Sequence, residues 1–387
     1  MAVLNRLRRI AGALLIDLPE FRRALWYSGN GYRNDPRGWT SLCNRIESLQ
    51  PDPDGPGVQC DWKWGSDLVA CQTLPILGQK ILDAALVEWP ISFSDNPPDE
   101  GVTPQVSFVF AHGGSERLAQ LRTTILSVFA QVDCRVEVVV VDQSLVPSFK
   151  EMPEGIRYRH LSKANVPEGW HKAWAYNVGA RMARSNILIF QDGDICVPRE
   201  YAVRALETLS SGTYEAASLQ RFLFYLNEKS TRRVMAASDP EIAGSVERVF
   251  QNWKGGTIAI RRDAFFRLGG FDEGFVDWGG EDDEFFDRCS VLRHCRFGYL
   301  PFVHLWHPPQ DGRKQPTNPN IARVMPERLA IPPTDRVREL SHRSFGQSDR
   351  PDPIFSYKSQ YIPVSNSDAR DATGNAESDS HTYEYPA

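Results

Sequence analysis

Val136-Glu137-Val138-Val139-Val140-Val141 is a β-branched run with one polar interruption, the pattern of a strand covered on both faces. Strands of that kind belong to parallel sheets flanked by helices, so the neighbouring segments decide the reading. Upstream, Val106-Ser107-Phe108-Val109-Phe110-Ala111 reads as a strand and residues 116–130 as a helix. Downstream, residues 157–161 read as a strand, 170–183 as a helix, and Ile187-Leu188-Ile189-Phe190 as a further apolar strand. This alternation predicts an α/β domain with a doubly wound, mostly parallel sheet and right-handed crossovers. Ligands of such sheets bind in the crevice beyond the carboxyl ends of the strands. Three strands end there in polar or turn-forming residues: Ala111-His112-Gly113, Asp142 and Gln191-Asp192-Gly193-Asp194. None of the three carries G-x-G-x-x-G or a G-x-x-x-x-G-K loop. The rim offers carboxylates instead, which suits a metal-assisted nucleotide ligand.

The pattern fades on both sides. Residues 1–103 are irregular and tryptophan-rich, with Pro/Gly/Asp clusters at 51–57 and 94–101, and read as an N-terminal extension or small accessory module. Trp26, Trp39, Trp62, Trp64 and Trp89 fit either a sugar-stacking platform or, more commonly, the core of such a module. The alternating domain spans 104–343. From residue 344 onward Ser, Asp, Asn, Thr and Pro dominate without apolar periodicity, so 344–387 are expected to be a disordered tail.

Composition narrows the classes. A chain of 387 residues, 41% hydrophobic and 24% charged, can bury a full core. The net charge of -5 argues against a nucleic-acid binder working by phosphate neutralisation. Seven scattered cysteines without C-x-x-C read as reduced thiols and point to a cytoplasmic setting. No apolar run approaches the ~20 residues of a membrane span. At the start, Val3, Leu4, Leu7, Ala11, Leu14 and Leu15 fall at helical spacing beside Arg6, Arg8 and Arg9. Residues 1–18 therefore form either a core-packing helix or a basic amphipathic helix lying peripherally on the inner face of a membrane.

Three short stretches carry chemistry. In Trp278-Gly279-Gly280-Glu281-Asp282-Asp283-Glu284, four acids follow a Gly-Gly pivot and an aromatic. As a helix start, the acids answer the unpaired N–H groups and the macrodipole of the first turn. As a site, the stretch is an aromatic gate beside a carboxylate able to take a proton from a bound hydroxyl. In Asp192-Gly193-Asp194, one acid can ligate a divalent cation while the other receives a sugar hydroxyl or a metal-bound water. The same triplet also fits an ordinary strand-ending turn. His304-Leu305-Trp306-His307 closes a strand-like run at 297–303. On extended chain, positions i and i+3 face opposite sides, so both imidazoles reach one ion only where the chain turns, as Pro308-Pro309 favours. His307 opens a Pro/Gly/Lys/Asn-rich loop at 308–320 and is the preferred ligand, with His304 second. Carboxylate, imidazole and phosphate oxygen together point to Mn²⁺.

Two longer stretches resemble a known family. W-H-K-A-W-A-Y-N-V-G-A at 170–180, running on to I-L-I-F-Q-D-G-D at 187–194, is one; K-G-G-T-I-A-I-R-R-D-A-F-F-R-L-G-G-F-D-E-G-F-V-D-W-G-G-E-D-D-E-F-F-D-R at 254–288 is the other. They resemble the β-1,4-galactosyltransferases and the wider inverting GT-A glycosyltransferases of family 2, over about residues 104–325. The resemblance implies a GT-A fold and a role for each matching residue. Asp142 would contact the nucleotide base or ribose, and Asn177 would support the donor site. Asp192 would lie near the ribose, and Gly255 and Gly256 near the donor sugar. Asp194 would ligate the metal with His307, while His304 stands where the animal enzymes have methionine. Trp278 would be the gate over donor and acceptor. Asp282 would be the catalytic base with Glu281 beside it, Glu281 and Asp283 holding sugar hydroxyls. The first strand departs from the family, ending in A-H-G-G where the family has a proline- and arginine-containing turn. Retaining N-acetylgalactosaminyltransferases usually lack the acid pair after W-G-G-E, so the pair favours inversion.

The implied activity is metal-dependent transfer of a hexose or N-acetylhexosamine from a UDP-sugar to a hydroxyl of a glycan or glycoconjugate. Arg313 or Lys314 would stabilise the departing UDP, and loop 308–320 would close over the donor. Two alternatives stand beside it: a retaining transferase of the same fold, and a catalytically silent nucleotide-sugar-binding protein. A membrane-recruited assembly factor rests on residues 1–18 alone.

Overall fold

In the computed structural model, the described residues are 11, 12, 15, 18–27, 29, 35, 37–61, 65–99, 101–149, 154–161, 169–237, 241–251, 255–308 and 318–348. The strands in chain order are β1 (Leu49–Pro51), β2 (Val58–Cys60), β3 (Ser66–Asp67), β4 (Val106–His112), β5 (Val136–Asp142), β6 (Ile156–His160) and β7 (Ile187–Gln191). Then follow β8 (Ile195–Cys196), β9 (Ala216–Ala217), β10 (Gln220–Leu226), β11 (Val246–Gln251), β12 (Thr257–Arg261), β13 (His294–Cys295) and β14 (Leu300–His304). The helices that matter to the site are α1 (Pro75–Glu88), α2 (Leu118–Phe129), α3 (Lys172–Met182), α4 (Glu281–Arg288), α5 (Met325–Leu329) and α6 (Pro333–Ser341).

The valine-rich run is β5, and every one of its residues is buried. It sits inside a seven-stranded sheet of order β13-β9-β12-β7-β4-β5-β6. All the strands share one direction except β12, which runs against both of its neighbours. The doubly wound, mostly parallel α/β fold expected from the alternation is what the chain adopts. Period-two alternation sorts the side chains. Val138 and Val140 join Phe108, Phe110 and the α2 residues Leu121 and Ile125 on one face. Val139 joins Val109, Phe190 and the α3 residues Ala173, Tyr176 and Ala180 on the other. The order β6-β5-β4-β7 means the chain leaves β4 in one direction and returns to its other side at β7. That is the switch point at which such sheets open a ligand crevice.

A second sheet, β3-β11-β10-β14-β8, decides the site. β8 starts directly after Asp194, and β14 pairs with it antiparallel, His304 opposite Ile195. The backbone N–H of Leu305 donates to the Asp194 carbonyl at 2.8 Å, extending this pairing to the rim.

The division expected at 103/104 falls between two segments that share one core. Phe21, Trp39, Leu77, Ile81 and Trp89 pack in the same cluster as Phe222 and Leu300. β3 is the edge strand of the second sheet, with Ser66 opposite Gln251. Of the five early tryptophans, Trp39 and Trp89 are core residues and Trp26 is exposed, while Trp62 and Trp64 lie outside the described residues. Most of the helix expected at 1–18 also lies outside them. Among the described residues, no helix is long and apolar enough to cross a membrane.

The expectation of disorder from residue 344 is corrected over its first five residues. Phe345 is buried against Phe265 and Phe266. Its carbonyl accepts from Arg181 Nε at 2.6 Å, the Gly346 N–H donates to Glu273 Oε1 at 2.7 Å, and Trp174 Nε1 donates to the Gln347 carbonyl at 2.6 Å. One aromatic and one glycine anchor this piece, too little to register as periodicity. Residues 349–387 lie outside the described part of the chain.

Candidate active site

Asp192-Gly193-Asp194 leaves β7 at the switch point, and its two acids diverge. Asp194 is buried, with His304 Nε2 3.6 Å from Oδ1 and His307 Nε2 3.4 Å from Oδ2. The chain does turn after His304, since β14 ends there, and this brings both imidazoles to one carboxylate. Ligand atoms of the three residues lie within 4.8 Å of one another. Burial pushes the His304 imidazole down to about 4, so it is neutral and carries a free lone pair at physiological pH. Its ring stacks on Tyr225 at 4.1 Å, which fixes its plane. Burial alone would raise the Asp194 carboxyl, but His304, His307 and Arg117 outweigh it and hold the group below the ordinary range. Asp194 Oδ1 and His304 Nδ1 are buried without a hydrogen-bond partner among the described residues. Buried polar atoms normally have partners, so these gaps together with the mixed donor set fit a divalent cation. Arg117 Nη1, 3.4 Å from Asp194 Oδ2, supplies positive charge at the same spot.

Asp192 turns the other way. Its Oδ1 accepts from Tyr176 Oη at 2.9 Å and from Lys172 Nζ at 2.9 Å. Lys172 opens α3, and its ammonium also meets Asp282 Oδ2 at 3.0 Å and Glu281 Oε1 at 3.3 Å. One buried cation therefore faces three acids from two segments ninety residues apart in sequence. Burial works against the Lys172 charge, but Asp192, Asp282, Tyr176 and Glu281 prevail and hold its proton on well above the ordinary range. Asp282 keeps 27% of its side chain exposed. Burial, reinforced by Glu281 and Asp192 and opposed by Lys172, pushes its carboxyl up to about 8.

The four acids of α4 thus divide between the two readings of the sequence. Glu281 and Asp282 face Lys172, whereas Glu284 is fully buried between Arg288 and Arg336. Gly279 and Gly280 have φ of 105° and 91°, a region a side chain rarely enters, so the chain can swing Trp278 away and begin the helix at once. The Trp278 carbonyl accepts from Asn318 Nδ2 at 3.1 Å and Asn320 Nδ2 at 3.2 Å. This clamps the W-G-G turn to the far end of the loop that begins at 308; residues 309–317, including Arg313 and Lys314, lie outside the described chain. Gly256, at φ 86°, passes its carbonyl to the Asp192 N–H at 2.7 Å. Gly255 and Gly256 line a depression with Tyr176, Phe271, Asp282 and Phe286.

Residues 115–275 match the family described as glycosyl transferase family 2. Over 221 residues the chain is 25% identical to a chondroitin synthase of Escherichia coli, an alignment covering 47% of this chain and 32% of that protein. It therefore spans about a third of that relative's length. It is also similar to a solved structure, the crystal structure of GalNAc-T7 with UDP, GalNAc and Mn²⁺, at a TM-score of 0.39 and 18% identity, covering 64% of this chain and 56% of that one.

Two expected site residues sit apart from the acidic cluster. Asp142 is fully buried and its carboxylate is already engaged: Oδ1 accepts from the Ser144 N–H at 2.8 Å, Oδ2 from the Ser148 N–H at 2.8 Å and from Tyr158 Oη at 2.6 Å. Burial raises its carboxyl, yet these hydrogen bonds outweigh burial and keep it below the ordinary value. These hydrogen bonds shape the loop after β5. Asn177 is likewise buried, its amide holding Phe271 N–H and carbonyl and Glu273 Oε1 at 2.8–2.9 Å. It braces the Gly269–Gly270 turn that leads toward α4, a supporting role. Asp283 lies on the first turn of α4, partly exposed. The sequence reading missed Lys172, Tyr176 and Arg117. Lys172 and Tyr176 were findable, since a lysine and a tyrosine at i and i+4 share one helix face, and this pair precedes the D-G-D strand.

Proposed function

We propose that this enzyme transfers a hexose or N-acetylhexosamine from a UDP-sugar to a hydroxyl of a glycan or glycoconjugate, with inversion at the anomeric carbon. The observation that carries the reading is the meeting of Asp192 and Asp282 on one Lys172 ammonium, which sets the strand end that leads to Asp194 beside the partly exposed Asp282 of α4. Asp194, His307 and His304 would hold the cation, Mn²⁺ by their donor set, and that ion would neutralise the diphosphate of the donor. Asp192 would receive a ribose or sugar hydroxyl. Asp282, with a proton affinity near neutrality, suits a general base that accepts the proton of the attacking hydroxyl. Glu281 and Asp283 would position the sugar, and Gly255 and Gly256 would let the backbone approach it. The particular likeness to the β-1,4-galactosyltransferases, the gating role of Trp278 and a cytoplasmic setting belong to the same reading. The likeness to a chondroitin synthase supports a polysaccharide acceptor.

The test is transfer or hydrolysis of a panel of UDP-sugars with Mn²⁺ by the wild type, Asp282→Asn and Asp194→Ala. NMR of the product gives its anomeric configuration. Activity in the wild type, lost in both variants, with an inverted product is the expected result. A retained configuration would replace inversion with the retaining alternative, and full transfer by Asp282→Asn would remove the base assignment.

A further inference from the structure

Lys172 is the one component of the cluster that touches both halves of it. An ammonium has three N–H donors, and here three carboxylate oxygens lie 2.9, 3.0 and 3.3 Å away. Its side chain is only 15% exposed, on the first residue of α3, and its ammonium stands over the Tyr176 ring, 5.5 Å from the centroid. Tyr176 Oη in turn donates to the same Asp192 oxygen as Lys172. Asp192 follows β7, whereas Glu281 and Asp282 belong to α4, so the contacts fix the strand end against the helix start. The charge count is uneven, one ammonium against three acids. Without the ammonium, the acids would repel one another across a few ångströms in a partly desolvated pocket.

Resting on the transferase reading above, we propose that Lys172 is a positioning residue for the transfer reaction: it holds the Asp282 carboxylate and Asp192 in register, so that acceptor hydroxyl and donor meet. A displacement of about 1 Å at a reacting centre costs on the order of 100-fold in rate. Lys172 touches neither the candidate metal ligands nor an exposed surface, so its loss acts on the register of the acids. The groups facing Asp282 are Lys172, Glu281, Asp192 and, through Asp192, Tyr176.

The experiment compares wild type, Lys172→Met, Lys172→Arg and Lys172→Gln in full-length protein. Donor KM, kcat, the pH profile of kcat and UDP binding with Mn²⁺ are measured for each. Lys172→Met is expected to lower kcat by ~10- to 100-fold, to leave UDP affinity within ~3-fold, and to move the acidic limb of the kcat profile to higher pH, because a cation that favours ionised Asp282 is gone. Lys172→Arg keeps the charge and is expected to restore the position of that limb. Should Lys172→Met fail to fold, Lys172→Gln, uncharged but able to donate to one of the acids, supplies the same comparison. Wild-type kcat and an unmoved limb in whichever of these two uncharged variants folds overturn the proposal. Full activity in Asp282→Asn would instead overturn the base assignment, so the two failures are distinguishable.

Discussion

Glu284 and Arg336 lie 52 residues apart in sequence and meet at 2.8 Å, both with fully buried side chains. Arg288, one helical turn on from Glu284, closes the other side with contacts of 2.6 and 2.7 Å. Arg336 also reaches Asp287 and the Ile331 carbonyl, so the C-terminal helix α6 is pinned beneath the helix that carries Asp282. Removing one partner of a buried pair leaves the other charge uncompensated, at a cost of ~3–5 kcal/mol. Arg336→Met is therefore expected to lose that much in denaturant unfolding. Burial raises the Glu284 carboxyl, but Arg288 and Arg336 outweigh it and keep it below its usual 4.5. For a depressed acid, the stabilisation is present above the unfolded value and is lost as pH falls through the folded one. The wild type should then lose stability on acidification below the ordinary glutamate range, by a margin that Glu284→Gln narrows.

Asp282 predicts the opposite slope. Its folded value is raised from 3.8 to about 8, so the folded state binds a proton more tightly than the unfolded chain. The stability this confers is full below pH ~4 and is lost as pH rises through about 8. Asp282→Asn removes that loss. Its melting temperature should match wild type near pH 4 and exceed it by ~1–2 °C, the equivalent of ~1 kcal/mol, at pH 9. At the same time its transfer rate should fall by 10²–10⁴, the usual contribution of a general base. A variant both more stable at high pH and inactive separates a functional strain from a folding defect. Equal melting temperatures at pH 9 would count against the raised proton affinity.

What the sequence made legible was set by burial pattern. β4, β5 and β7 are buried on both faces, and such strands appear as unbroken apolar runs, so the sheet and its switch point could be read directly. D-G-D and the acidic helix start were visible because they interrupt those runs with charge. The edge strand β3 has two residues, and no periodicity exists at that length, so the attachment of the early segment to the second sheet stayed hidden. The pairing of β14 with β8, which brings His304 to Asp194, is a contact between residues more than a hundred positions apart. Lys172 was in plain view, yet a single lysine reads as a solvated surface group until its three partners are placed around it. Asp142 was legible as an acid ending a strand at the rim, whereas its hydrogen bonds to Ser144, Ser148 and Tyr158 depend on how the following loop folds back.

Phe345 tests the corrected boundary. Its ring is buried against Phe265 and Phe266, and Arg181 lies 5.1 Å from its centroid. Phe345→Ala should cost ~3–5 kcal/mol, the range for a buried phenylalanine. Gly346, at φ 67°, has room for no side chain, because an added Cβ would lie 2.7 Å from the Asn177 carbonyl. Gly346→Ala should therefore also destabilise, through the brace that Asn177 supplies to the 269–273 turn. A chain truncated after residue 343 that unfolds at the wild-type denaturant concentration would show the segment to be dispensable.

The candidate cation site makes the most direct prediction. Two imidazoles and one carboxylate converge within 4.8 Å, and burial keeps His304 unprotonated, so a cation need not displace a proton from it at neutral pH. A ligand that binds only the folded state stabilises it by ~2.7 kcal/mol at 100 times its Kd. For a chain of this size, that is a rise of roughly 3–4 °C in Tm. Mn²⁺ alone should produce such a shift in the wild type, Asp194→Ala should abolish it, and His307→Ala or His304→Ala should each weaken it. Arg117 sharpens the test, because its guanidinium stands 3.4 Å from the Asp194 oxygen that also faces His307. It competes with the ion for the same charge, so Arg117→Gln should bind Mn²⁺ more tightly than the wild type in the absence of nucleotide. A wild-type shift that survives Asp194→Ala would place the ion elsewhere on the chain.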